Sequence, residues 1–181
     1  YNQPTTCDLN GFTTYTQGGW GSKDNSGPGS IRAANFASVF PSGLTIGSGS
    51  NKATFTSSTA IKNYLPAGGT AGALTGNLTN PTSTSAGVLG GQITALTLNV
   101  YFDSAGVIGP NPQKLGNLVF SSGTFAGMSV YQFLAIANQA LGGASTGYTF
   151  SQINDAATAV NENFDNGNSN EGDLTCAPTV I

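Results

Sequence analysis

Apolar positions along this chain form two helical stripes near its end and one tract that fits two periods at once. Val130, Phe133, Leu134, Ala137 and Leu141 recur at the three-and-four spacing that lines one helix face, and Ile153, Ala156, Ala157, Val160 and Phe164 repeat it. Each stripe follows a hydroxyl residue with glutamine three places on, Ser129 with Gln132 and Thr149 with Gln152. That is the capping box, which satisfies free amides at a helix start. Gly142-Gly143 and Asn166-Gly167 supply the stops. The two predicted helices are joined by residues 144–148 and are expected to pack antiparallel, their alanines allowing close approach.

The tract 87–103 is ambiguous. Leu89, Ile93, Leu96 and Val100 make a helical stripe, whereas Leu96, Leu98, Val100 and Phe102 alternate like a strand. Helix through about Val100 is the favoured reading. Upstream, β-branched and aromatic residues over 11–20 predict a strand, and residues 30–40 a short helix stopped by Pro41. Residues 44–46 and 53–56 predict a hairpin, and 58–64 a short helix. The polar stretch from 65 to 85 is long for a loop in a compact domain, which marks it as a contact surface. Residues 115–121 and 123–125 read as strand, and 174–181 as a last strand tied by Cys176 to the first. No linker or repeat divides the chain. The expectation is a single α+β domain over 1–181, a small mostly antiparallel sheet packed with four or five helices that include the C-terminal antiparallel pair.

Composition removes most chemistry. Five basic side chains, eight acidic ones and no histidine occur among 181 residues, so the usual neutral-pH proton shuttle is missing. Lys23, Arg32, Lys52, Lys62 and Lys114 are scattered and the net charge is −3, which argues against nucleic acid as a partner. The tract 86–102 is too interrupted to insert in a membrane. Opening on Tyr1 is what a cleaved signal peptide leaves, so secretion is expected. In an oxidising compartment Cys7 and Cys176 then read as one disulfide, which leaves 1–6 and 177–181 as arms able to reach a neighbour.

Four candidate sites each have a plainer role. Five of the eight acids lie between Asp155 and Asp173, and Asp165, Asn168, Asn170 and Asp173 form a calcium candidate. The loop fails the EF-hand template, because with Gly167 in sixth place the third ligand falls on Phe164. A solvated loop is the plainer reading. Tyr15 and Trp20 could stack on a sugar ring, or Trp20 could close a core. Asn77-Leu78-Thr79 is the one usable glycosylation sequon, since proline spoils Asn80-Pro81-Thr82, and the expectation for a prokaryote is that it is incidental. Glu162 with Asp165, or Asp103 with either, has none of the facing geometry of a hydrolase pair. No catalytic residue and no cofactor is assigned.

Tyr15-Thr-Gln-Gly-Gly-Trp-Gly21, Ala34-Asn-Phe-Ala to Phe40-Pro-Ser-Gly-Leu44, Leu65-Pro-Ala-Gly-Gly69, and Gly87-Val-Leu-Gly-Gly-Gln92 through Leu96-Thr-Leu-Asn-Val100 are distinctive together. They resemble a domain of unknown function that recurs in secreted, cell-surface, adhesin-like bacterial proteins. The resemblance covers nearly the whole chain, to Asn161-Glu-Asn-Phe-Asp165. It implies an extracellular surface setting and a helical Leu89–Val100 tract, and no function. A short, nearly neutral surface domain standing alone is expected to be the non-enzymatic subunit of a self-assembling filament or sheath, with copies of itself as partners. A carbohydrate-binding or adhesion module that recognises surface glycans is the alternative.

Overall fold

The structure is a computed structural model and describes residues 6–178; expectations for 1–5 and 179–181 lie outside the described residues. Its elements in chain order are α1 (Gln17–Trp20), α2 (Gly27–Val39), β1 (Leu44–Ser48), β2 (Asn51–Phe55), α3 (Ser58–Tyr64), β3 (Asn77–Thr79), α4 (Val88–Ser104), a 3-10 turn at Leu115–Asn117, β4 (Val119–Phe120), α5 (Val130–Leu141), α6 (Phe150–Asn163) and β5 (Leu174–Thr175). The class is α+β, as expected.

The axis of the molecule is α4. Only Val88, Gln92, Tyr101 and Ser104 of that helix escape burial. A helix buried all round has no polar stripe to betray its period, which is why this tract read both ways. Its buried hydroxyls are satisfied within the helix, Thr94 Oγ1 donating to the Gly90 carbonyl and Thr97 Oγ1 to that of Ile93, both at 2.7 Å. At its start two glycines permit close approach. A Cβ on Gly91 would lie 1.8 Å from Gln17 Oε1, and one on Gly90 would lie 2.3 Å from the Tyr64 hydroxyl. Helices α1, α5 and α6, the strand β1 and the 3-10 turn all pack against α4.

Both predicted capping boxes are present, with Ser129 and Thr149 at the N-caps. The expected packing of these two helices as an antiparallel pair is corrected: each seats on α4, which takes the apolar face that was assigned to the partner helix. Two small sheets stand in place of one. In the first, β1 pairs antiparallel with β2, Leu44 opposite Phe55, and β2 pairs parallel with β3, Ala53 opposite Leu78. In the second, β4 pairs antiparallel with β5, Val119 opposite Thr175.

Four local expectations are corrected. The 11–20 segment is not a strand: Thr14 makes an isolated bridge to Asp165, and the Thr16 side chain then accepts from Gly19 N to cap a helical turn. Within 115–125 only β4 is strand. The last strand pairs with β4 instead of with the first segment. Finally, α2 begins at Gly27 rather than at 30, because Pro28 suits the first turn of a helix.

Candidate functional site

The turn α1 delivers Trp20 to the interior, where the ring is fully buried. It meets Tyr15 edge-on with centroids 5.1 Å apart and an interplanar angle of 77°, and Phe102 at 5.1 Å and 82°. The indole N–H donates to Asn99 Oδ1 at 3.0 Å. Gly21 allows this turn to press on the chain, since a Cβ there would lie 2.5 Å from the Leu65 carbonyl oxygen. The proposed sugar-stacking pair is thereby corrected: Trp20 has no face in solvent, and half-buried Tyr15 stands across it rather than beside it. Burial raises the Tyr15 phenol above its ordinary pKa, and the charge of Asp165 adds to the rise.

Beneath this turn lies Arg32, also without exposure. Its guanidinium donates to the carbonyl of Trp20, to that of Ser22 at 2.9 Å, to Ser58 Oγ at 2.8 Å and to Asp24 Oδ1 at 2.6 Å. Sequence reasoning counted Arg32 among the scattered charges. Its role is to hold the 20–24 segment on α2 and α3.

Asp103 near the end of α4 is the one carboxylate with a pKa pushed up to about 6. Burial causes the rise, while the Leu115 N–H, donating to Oδ2 at 2.7 Å, and the charge of Lys114 pull the other way. Neither Glu162 nor Asp165 shares a hollow with it: those two line a separate surface depression of about 440 Å³ together with Thr16, Asn168 and Glu171.

The four calcium candidates do not converge. Asp165 and Asn168 line that depression, whereas Asp173 lines another, of about 250 Å³, with Phe120, Phe125 and Asp155. Asn170 Oδ1 is occupied, accepting from Gly172 N at 3.0 Å and from Asn163 Nδ2 at 3.4 Å. Among the described residues no group of three or more His, Cys, Asp or Glu is arranged to hold a metal ion.

Cys7 and Cys176 are bonded, with Cα atoms 5.6 Å apart across 169 residues of sequence. The segment around Cys7 is fastened independently as well. Asn111 Nδ2 donates to the carbonyls of Asp8 at 3.0 Å and Asn10 at 2.8 Å, and Gln113 Nε2 donates to that of Asp8 at 2.8 Å. A hollow of about 440 Å³ opens at the bond, lined by Thr6, Gln113, Asn117, Thr175 and Pro178. Thr6 and Pro178, on the outer sides of the two cysteines, thus line the same hollow.

Among the described residues no helix is long and apolar enough to cross a membrane. No protein-family model, curated protein or solved structure matches this chain.

Proposed function

We propose that this is a structural, non-enzymatic domain of the extracellular cell surface, a subunit that joins copies of itself into a filament or sheath. The carrying observation is the clasp. Thr6 and Pro178, just outside the Cys7–Cys176 bond, line one hollow, so any arm that continues from either of them starts at a single covalently fixed point. A segment held this way reaches a neighbour without loosening the fold that anchors it, and an extended arm can add to another chain by main-chain hydrogen bonds. The disulfide fits an oxidising compartment. With thirteen ionisable acidic and basic side chains in all, contact between copies rests on apolar and main-chain groups, and such contacts survive salt that would screen ion pairs.

Electron microscopy of native material across a range of salt concentrations tests this reading. Ordered polymer that persists at high salt is expected, and dispersed monomer under every condition overturns it. Deletion of residues 1–6, with Cys7 retained, then asks whether that arm makes the joint. A glycan-adhesion role has lost the ring on which it rested, since Trp20 is closed to ligands.

A further inference from the structure

We propose that Asn77 is a glycan acceptor, the attachment point of an N-linked sugar on the exposed edge of the first sheet. This stands apart from the assembly reading and holds whether or not copies polymerise.

The strand β3 presents the sequon as a transferase needs it. Alternation in a strand puts residues two apart on one face, and Asn77 and Thr79 are both exposed while the intervening Leu78 is half-buried against the core. The acceptor amide and the hydroxyl that must accompany it therefore face solvent together. Neither side chain makes a hydrogen bond to the described residues, so neither has to be released. The adjacent asparagine is the built-in contrast. Asn80 Oδ1 accepts from Thr56 N at 2.8 Å and its Nδ2 donates to Thr56 Oγ1 at 2.9 Å, and Pro81 follows it.

The edge itself is open. Lys52 N donates to the Gly76 carbonyl and Asn80 N to that of Thr54, so in a parallel ladder the main-chain groups of Asn77 and Thr79 point away from β2. An uncovered strand edge invites unwanted pairing, and a bulky hydrated group beside it blocks that approach. The long polar excursion on which β3 lies is thus a surface carrying sugar.

The donor is a sugar, or an oligosaccharide, linked through its anomeric carbon to a diphosphate. Asn77 Nδ2 forms the new bond to that carbon, the carbon–oxygen bond to the diphosphate breaks, the diphosphate leaves with the electron pair, and one amide proton passes to a base of the transferase. No oxidant or reductant enters.

The test is peptide mapping of the full chain secreted by its own source, compared with N77Q, T79A and N80Q secreted from the same source. Trypsin cuts at Lys62 and Lys114, which isolates the segment holding both asparagines. The parent and N80Q are expected to carry a sugar mass that fragmentation places on Asn77, and N77Q and T79A to lose it. T79A retains the acceptor and removes only the hydroxyl of an exposed side chain, leaving the Leu78 packing and the β3 ladder in place. An unmodified Asn77 in the parent overturns the proposal, and so does a sugar mass on this peptide that persists in N77Q.

Discussion

The indole of Trp20 donates to the side-chain carbonyl of Asn99 at 3.0 Å, and that contact belongs to a chain of hydrogen bonds tying three helices together. Asn99 Oδ1 also accepts from Tyr15 N, and its Nδ2 donates to the Tyr15 carbonyl and to Asn161 Oδ1, each at 2.9 Å. Asn161 Nδ2 in turn donates to the carbonyl and Oε1 of Gln92, at 3.0 and 2.8 Å. Both donors and both acceptor positions of Asn99 are used, so the residue is fully satisfied in a site without water exposure.

Asn99→Leu is therefore expected to destabilise strongly. It strands the Trp20 N–H, the Tyr15 N–H and carbonyl, and Asn161 Oδ1 at once, and unsatisfied buried groups cost about 1–3 kcal/mol apiece. A total loss of about 4 kcal/mol, allowing for partial relaxation, is the expected shift in urea unfolding. Asn161→Leu added to Asn99→Leu should cost much less than its separate effect, because the two share one network. Strict additivity would falsify the network.

Arg32 yields a second prediction. Arg32→Met keeps much of the volume but removes the donors on the Trp20 and Ser22 carbonyls, with an expected loss of about 3 kcal/mol. Asp24→Asn should be far milder, since Asp24 is half exposed and Arg32 keeps its three other acceptors. Chemical unfolding of both variants checks the order, and a larger loss for Asp24→Asn would contradict it.

These two networks also show what the sequence could and could not disclose. Ser129 with Gln132 and Thr149 with Gln152 announce their helices because a cap is a local event, complete within four residues. Cys7 and Cys176 were legible because the chain holds two cysteines and one pairing. Asn99 and Arg32 were not, because their partners lie as far away as Tyr15 and Ser58 and nothing local marks a polar side chain as satisfied. Gly18, Gly19 and Gly21 around Trp20 looked like flexible surface. Gly21 instead brings the chain against the Leu65 carbonyl beside a buried ring, while Gly18 is exposed, a distinction that needs the neighbour as well as the glycine. The short strand β3 escaped for the same reason, and β4 and β5 were placed but given the wrong extent and partner, since a two- or three-residue strand is defined by its partner more than by its own residues.

The disulfide should contribute to stability without deciding the fold. Its loop-closure entropy corresponds to about 5 kcal/mol for so long a ring, a ceiling because residual structure in the unfolded chain leaves less entropy for the bond to remove. The Asn111 and Gln113 contacts with the Asp8 carbonyl keep the Cys7 segment on the fold when the bond is absent. Replacing Cys7 and Cys176 by serine together is expected to leave near-ultraviolet dichroism intact at 25 °C and lower Tm by about 10 °C, given ~2–4 °C per kcal/mol at this size. A Tm unchanged within about 2 °C would show that the ends are held by their hydrogen bonds alone.

Asp103 predicts a particular pH dependence. Its ordinary pKa of 3.8 is raised by burial to about 6 in the folded chain. Between those values the folded state binds more protons than the unfolded state, so this group's contribution is fully favourable below about pH 4 and declines as pH rises through about 6. The expected size is on the order of 2 kcal/mol. The informative quantity is the difference between the parent and Asp103→Asn, which cannot ionise and keeps an oxygen for the Leu115 N–H. Urea midpoints measured from pH 3.5 to 7.5 should show the variant gaining on the parent as pH rises, with the change concentrated between about pH 4 and 6. A difference independent of pH would mean that the Asp103 carboxylate is better solvated than its burial implies, and that the Leu115 N–H and the Lys114 charge together offset the cost of enclosing it.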